Sequence, residues 1–320
     1  MYCQVVYICG CIPARIRHAL AYLPETLDET YKRTLQEINK ADWEYAHRLF
    51  QFVAVAVRPL RVEELAELLA FDFEAGPIPK LYEDWRPEDP MYAVLSACPS
   101  FLTIVDDYSN RKVVQFSHFS VKEFLTSTRL YEANDFTLRH CHISETPAHT
   151  LAARACMSYL LRLDKDITRG SLRDLPFAQY SAEYWANHAR LDDVSRNVKG
   201  ELKELFDPSK PHLAVCTWIC EPDIPLLSYR GISQPERPPP LCGTPLHYAA
   251  IWGLHSMVEL LVNEHSQDVN SQDFANSVTP LHVALSNRHG QPKFVSMLIE
   301  HGADVSAQDK DRQTPLHLAS

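Results

Sequence analysis

Four groups of side chains have types and spacings that could do chemistry. Ser117, His118 and Glu123 combine a hydroxyl, a base and an acid, the types used in nucleophilic catalysis. His212, Cys216 and Cys220 recur every four residues, which on a helix puts three metal-ligating groups on one face. His140, Cys141 and His142, with Cys156, form a looser set of the same ligand types. The fourth group is Thr-Pro-Leu-His, found at Thr244 to His247, Thr279 to His282 and Thr314 to His317. The first three have simpler readings. Ser120 and Glu123 have capping-box spacing, and His118 is expected to bury against a neighbouring hairpin. The segment from Leu213 to Ile219 is strongly apolar and lacks a fourth ligand, so its thiols read as core. The set at 140–156 reads the same way. No catalytic, metal or cofactor residue is assigned, and the chain is expected not to be an enzyme.

The tetrapeptide is what remains, and its constant spacing of 35 residues marks a stacked-repeat architecture. Proline is tolerated in the first helical turn, where its missing N–H would be unpaired anyway. The threonine before it can cap that turn, the leucine points inward, and the histidine can tie the turn to nearby backbone. Met257 to Leu261 and Val295 to Ile299 both read as a second helix with an apolar stripe. Asp268 to Asp273 aligns with Asp304 to Asp309. These features resemble the ankyrin repeat over residues 242–320. Its usual unit is about 33 residues, so each interval carries an insertion. In the second copy the insertion falls around 288–292. The first copy lacks the glycine of His301-Gly302-Ala303-Asp304.

The rest of the chain must carry these repeats. Its 320 residues leave room for two or three domains, with 46% hydrophobic and 22% charged residues. A formal charge of −10 argues against general affinity for nucleic acid or anionic membrane. No apolar run is long enough to span a bilayer. The nine scattered cysteines read as reduced thiols in a cytoplasmic protein. Only nine glycines are present, and no phosphate-cradling GxxxxGK[ST], GxGxxG or nucleophile-elbow GxSxG occurs.

In order, Ile16, Ala19, Leu20 and Leu23 have helical spacing. Thr26 and Glu29 form a capping box for a helix whose face is Leu27, Tyr31, Leu35 and Ile38. Asp42 caps a second helix with Ala46, Leu49, Val53 and Val57 inward, stopped at Arg58-Pro59. Val62, Leu65, Leu68 and Leu69 make a third. Residues 72–90 read as a loop, 91–97 as a short helix, and 101–105 with 112–116 as a hairpin. A further helix is capped at Ser120. Helices followed by a hairpin describe a winged helix. Residues 140–230 are helical by pattern, with Leu151, Ala155, Tyr159 and Leu163 on one face and Trp185, His188 and Leu191 on another. Pro235, Pro238, Pro239 and Pro240 read as a stiff linker.

A second resemblance now applies. Leu23-Pro24-Glu25-Thr26-Leu27-Asp28-Glu29-Thr30-Tyr31 and Phe116 to Leu125 resemble fungal NACHT proteins with C-terminal ankyrin repeats. They match the segment after the nucleotide-binding module, the winged helix of GPI inositol-deacylase type. That name does not imply deacylase activity. Ala178 to His188 and Leu205-Phe206-Asp207-Pro208 resemble the helical spacer of the same proteins. The fold class is therefore mainly α: a winged helix with a small β-hairpin, a helical spacer, then an ankyrin solenoid. Residues 1–24 are the tail of a helical region after an absent NACHT module and 25–139 the winged helix. The spacer is 140–231, the linker 232–241, and the ankyrin repeats, two plus a truncated third, 242–320.

The resemblance implies a non-catalytic interaction and relay fragment of an NLR-like signalling protein, shortened at both ends. Nucleotide would be handled only through the absent NACHT module. A protein partner is expected on the ankyrin surface, at Ile251 and Trp252 of the first inner helix and at Asp273, Phe274, Lys310 and Arg312 of the hairpin tips. Trp252 could instead dock on the spacer. The alternative, a DNA-binding winged-helix regulator, is disfavoured because the helix at 91–97 has no Lys or Arg. Two and a fraction repeats are marginal alone, so the ankyrin segment is expected to open before residues 25–230.

Overall fold

The computed structural model describes residues 26–97, 100–132, 135–220, 235–286 and 292–318. The expected helix around residues 15–23 and the insertion around 288–292 lie outside the described residues, the latter except for Pro292.

Thr26 opens the first described helix, Leu27–Gln36, by accepting the Glu29 amide at 3.2 Å. Tyr31 packs its ring on Phe101 and Phe124, while Leu27, expected on the same face, is exposed one turn too early to reach that core. The next helix, Trp43–Val55, buries Ala46, Leu49, Phe50, Phe52 and Ala54. It starts without a side-chain cap from Asp42. Val57 lies beyond its end and is exposed, because the backbone has left the helical path ahead of Pro59.

The wing has three strands rather than two. Leu60–Arg61 pairs antiparallel with Lys112–Phe116, which pairs in turn with Leu102–Asp106. A two-residue strand leaves no alternation to read, which is why the sequence showed only the hairpin. Asp107 organises the wing turn by accepting the Ser109 and Arg111 amides at 2.7 and 2.9 Å. Residues 72–90 are not a plain loop. Phe71–Asp72 pairs with Lys80–Leu81, and a 3-10 turn follows at Glu83–Trp85. Arg154 holds this ribbon through the Pro77 carbonyl at 2.8 Å, and Arg162 pairs with Glu83.

Arg154 lies within, and Arg162 directly follows as the C-cap of, Glu145–Leu161, the helix around which the chain is packed. It carries nine buried residues and lies against Trp43–Val55 and Ala178–Ala189. Phe52 meets Phe177 at 5.7 Å, and Phe177 meets Tyr159 edge-on at 5.5 Å. One aromatic core therefore runs from winged helix to spacer across residue 140.

Glu64 fastens the same junction. Its side chain is fully buried, accepts both Arg58 Nη atoms at 2.8 Å, and accepts the Arg61 amide at 2.7 Å. Arg61 in turn donates to the Pro176 carbonyl at 3.1 Å. Burial, the largest single effect, opposes the charge on Glu64, but the Arg58 hydrogen bonds, the Arg61 amide and the two guanidinium charges together outweigh it and hold the carboxyl below its ordinary range.

His188 makes the junction acid-sensitive. It is fully buried, with Nδ1 2.9 Å from His149 Nδ1 and Nε2 3.3 Å from the Tyr180 hydroxyl. Burial, then the neighbouring His149, pushes its pKa from 6.5 down to about 3. The folded state holds His188 neutral while the unfolded chain takes up a proton below its ordinary pKa. Stability is therefore lost as pH falls below 6.5. The expected loss is about 2 kcal/mol on going from pH 7 to pH 5. Urea melts of wild type and His188→Asn at both pH values check this. The variant should lose most of the difference.

Candidate interaction surface

The Thr-Pro-Leu-His boxes build the repeats by one geometry. The Thr244 amide donates to His247 Nδ1 at 3.1 Å, which leaves the ring proton on Nε2. Nε2 then donates to the Val278 carbonyl of the next repeat at 3.0 Å. The second box repeats this, with the Thr279 amide on His282 Nδ1 at 3.1 Å and His282 Nε2 on the Gln313 carbonyl at 3.1 Å. His317 accepts the Thr314 amide at 3.2 Å in the same way. His247 and His282 are fully buried, and burial lowers the His247 pKa, which keeps the ring neutral.

Each histidine reaches the end of a hairpin tip, and aspartates shape those tips. Asp273 accepts the Ala275, Asn276 and Val278 amides, the last at 2.7 Å. Asp309 accepts those of Asp311 and Gln313 at 2.9 and 2.8 Å. Adjacent tips are laced by backbone, Phe274 amide to Cys242 carbonyl and Lys310 amide to Asn276 carbonyl, both at 3.0 Å. Ser277 and Arg312 hold the same place in the two tips, and both have left-handed backbone, φ +56° and +62°. L-residues with a Cβ adopt that region at a cost. Ser277→Gly and Arg312→Gly are each expected to stabilise the chain by roughly 0.5–1 kcal/mol, readable as a rise in the midpoint of thermal unfolding.

The extra residues of the first repeat also have a place. Its second helix, Ser256–Glu259, widens into a π-helical turn at Leu260–Glu264. Ser266, with φ +50°, then makes the turn that Gly302, with φ +88°, makes in the next copy.

The six expected contact residues separate into two groups. Ile251 is buried in the stack. Trp252 is half-buried against Trp185 at 5.0 Å and Phe206 at 6.1 Å, both edge-on, so it docks on the spacer and is not a free anchor. Asp273 is buried because its carboxylate is consumed by the turn. The expectation of a free surface therefore fails for these three. Phe274 is 88% exposed at its tip, and Lys310 and Arg312 are exposed on the next one.

Sequence reasoning missed the seam between spacer and repeats. Asp192 takes His255 at 3.0 Å and Lys293 at 2.9 Å, so one carboxylate spans the spacer and two repeats. Ser195 bonds Ser256 at 2.5 Å, and Lys203 pairs with Glu264 at 2.6 Å. Asn270 was also missed. It donates to the Gly302 carbonyl at 3.0 Å and accepts the Asp304 amide at 2.7 Å. The described part of the proline-rich stretch lies along the spacer, where the Pro235 carbonyl accepts Trp218 Nε1 at 2.9 Å.

The other chemical sets have structural explanations. His118, expected to be buried, is an exposed N-cap of Phe119–Leu125 and accepts the Ser120 amide. Ser120 is therefore not the cap. Its hydroxyl lies 2.7 Å from that of Tyr31. Cys141, Cys156 and Cys216 are buried in the core. Among the described residues no cluster of three or more His, Cys, Asp or Glu could hold a metal ion, and no helix is long and apolar enough to cross a membrane.

Two family matches define the class. Residues 32–139 match the GPI inositol-deacylase winged helix domain, and residues 246–320 match ankyrin repeats in three copies. The chain joins these two non-catalytic kinds of domain, the winged-helix plus ankyrin architecture associated with NACHT proteins. It is 29% identical over 305 residues to azaphilone pigments biosynthesis cluster protein L of Monascus ruber, a match covering 88% of this chain and 60% of that protein. The ankyrin part is 43% identical over 77 residues to rabankyrin-5 of Mus musculus, covering 24% of this chain and 6% of that protein. It is 41% identical over 75 residues to alpha-latrocrustotoxin-Lt1a of Latrodectus tredecimguttatus. The chain thus spans less than two thirds of these relatives.

Proposed function

We propose that this chain is a non-catalytic interaction and relay unit of an NLR-like, NACHT-type signalling protein acting in the cytoplasm, and that its ankyrin hairpin tips bind a protein partner. One observation carries the reading. Phe274 stands 88% exposed on a turn whose backbone is fixed on both sides, by the Cys242 carbonyl and by the Asp273 carboxylate. A large aromatic presented to solvent from a fixed backbone is the kind of group that anchors an interface. Lys310 and Arg312 flank it on the next tip. The relay part rests on the continuous packing from the helix Trp43–Val55 to spacer to first repeat, which lets a change at one end bear on the other.

The test places a photo-crosslinking phenylalanine analogue at position 274 in cells, with position 108 on the wing as control. Reproducible capture of one protein at 274, reduced at least tenfold by Arg312→Glu, is the expected outcome. Equal capture at both positions, or none at 274, overturns the assignment. The relay half is tested separately by sequencing the native transcript. An in-frame nucleotide-binding domain upstream supports it, and its absence removes it.

A further inference from the structure

The winged helix carries a second surface, independent of the ankyrin tips. The segment 82–92 leads into the helix Pro90–Ala97, which holds the sequence position between helices and wing where a DNA reader would sit. It exposes Trp85 (51%), Met91 (47%) and Tyr92 (71%), and Trp85 stacks on Tyr82 at 4.5 Å. Its charges are sorted by sign. The one cation within 82–92, Arg86, turns inward to the buried Glu67 at 2.8 Å, while the exposed Lys80 just before the segment lies over the Tyr82 ring at 4.9 Å. Glu83 is met by Arg162. Asp84, Glu88 and Asp89 stay on the surface, and no cation pairs with them among the described residues. Asp89 also caps the helix, accepting the Tyr92 amide at 3.0 Å.

We propose that this face docks a basic, apolar-anchored protein segment. Trp, Tyr and Met are the side chains enriched at interface centres, and a carboxylate rim selects lysine- and arginine-bearing partners. The same rim repels DNA phosphates and anionic lipid headgroups, which separates this surface from a nucleic-acid or membrane reading.

The test uses the whole chain and a short dye-labelled lysine–leucine amphipathic peptide, compared with a glutamate–leucine peptide of the same length. Phosphatidylserine vesicles and a DNA duplex complete the set. Binding of the basic peptide is expected to weaken at least tenfold in Trp85→Ala/Tyr92→Ala and in Asp84→Lys/Glu88→Lys. The charge-matched control Glu259→Lys/Glu300→Lys, on exposed ankyrin positions, should change it less than about twofold. The surface substitutions Asp84→Lys and Glu88→Lys keep the test valid if the aromatic variant folds poorly. Equal loss in the control, no loss in the patch variants, or equal binding of the acidic peptide overturns the proposal. Vesicle or DNA binding that the patch variants abolish overturns it in favour of that ligand.

Discussion

Trp252→Ala is expected to destabilise the chain by about 3 kcal/mol and to split its unfolding into two transitions. A Trp→Ala change in a packed site costs roughly 3–5 kcal/mol, and the lower end applies because part of this indole remains exposed. The ring is lost from an aromatic cluster with Trp185, Phe206 and Tyr248. That cluster joins the spacer to the first repeat, while the polar contacts beside it are single exposed or half-exposed pairs, each worth little. Without the indole, the repeats keep their own histidine stitches but lose their base. Urea unfolding followed by circular dichroism and by the fluorescence of the four remaining tryptophans, all outside the repeats, checks both parts. Coincident transitions in the variant would mean that the seam is not what couples the units.

Glu64→Gln is expected to cost about 2–3 kcal/mol. Removing one member of a buried pair typically costs roughly 3–5 kcal/mol, but Arg58 and Arg61 are each about a third exposed and can recover water. The substitution also weakens the bond to the Arg61 amide that starts the helix Val62–Ala66. Because the folded pKa of Glu64 lies below its ordinary 4.5, its stabilisation is fully present above that pH. It is lost as pH falls further toward the folded value. The wild-type and variant denaturation midpoints should therefore converge at strongly acidic pH and stay apart at neutral pH.

The two acid effects act in different windows. His188 costs stability as pH falls below 6.5, and Glu64 only below about 4.5. A shallow loss followed by a steeper one is the expected pH profile of stability.

The repeats were legible because their signal is an identical tetrapeptide at fixed spacing, and in the first two copies its residues do the physical jobs expected of them, whereas Leu316 of the third, expected to point inward, is 75% exposed because no following helix covers it among the described residues. The wing hairpin was legible for a similar reason, as two apolar runs around a polar turn. What did not show was long-range. Nothing near Leu60 announces that it pairs with Val114, and nothing near Trp252 says whether its neighbour is solvent or Trp185. Asp273 looked like a surface tip residue because aspartate is common in turns. Its burial follows from accepting three amides, a fact of geometry rather than composition. His118 was mislocated for the opposite reason, since a histidine acting as an N-cap has no strong sequence signature. The same long-range packing alters the expected order of opening. The first repeat belongs with the spacer, and the later repeat is the part expected to open first.

Native-state hydrogen exchange on the whole chain tests the central claim most directly, namely that the spacer and the first ankyrin repeat are one cooperative unit carrying the hairpin tips. The account predicts that amides of Pro245–Trp252 exchange with the same opening free energy as those of Ala178–Ala189, and that Pro292–Glu300 and Pro315–Leu318 open earlier. Early, joint opening of Pro245–Trp252 with the later repeat, while the spacer stays closed, would contradict it.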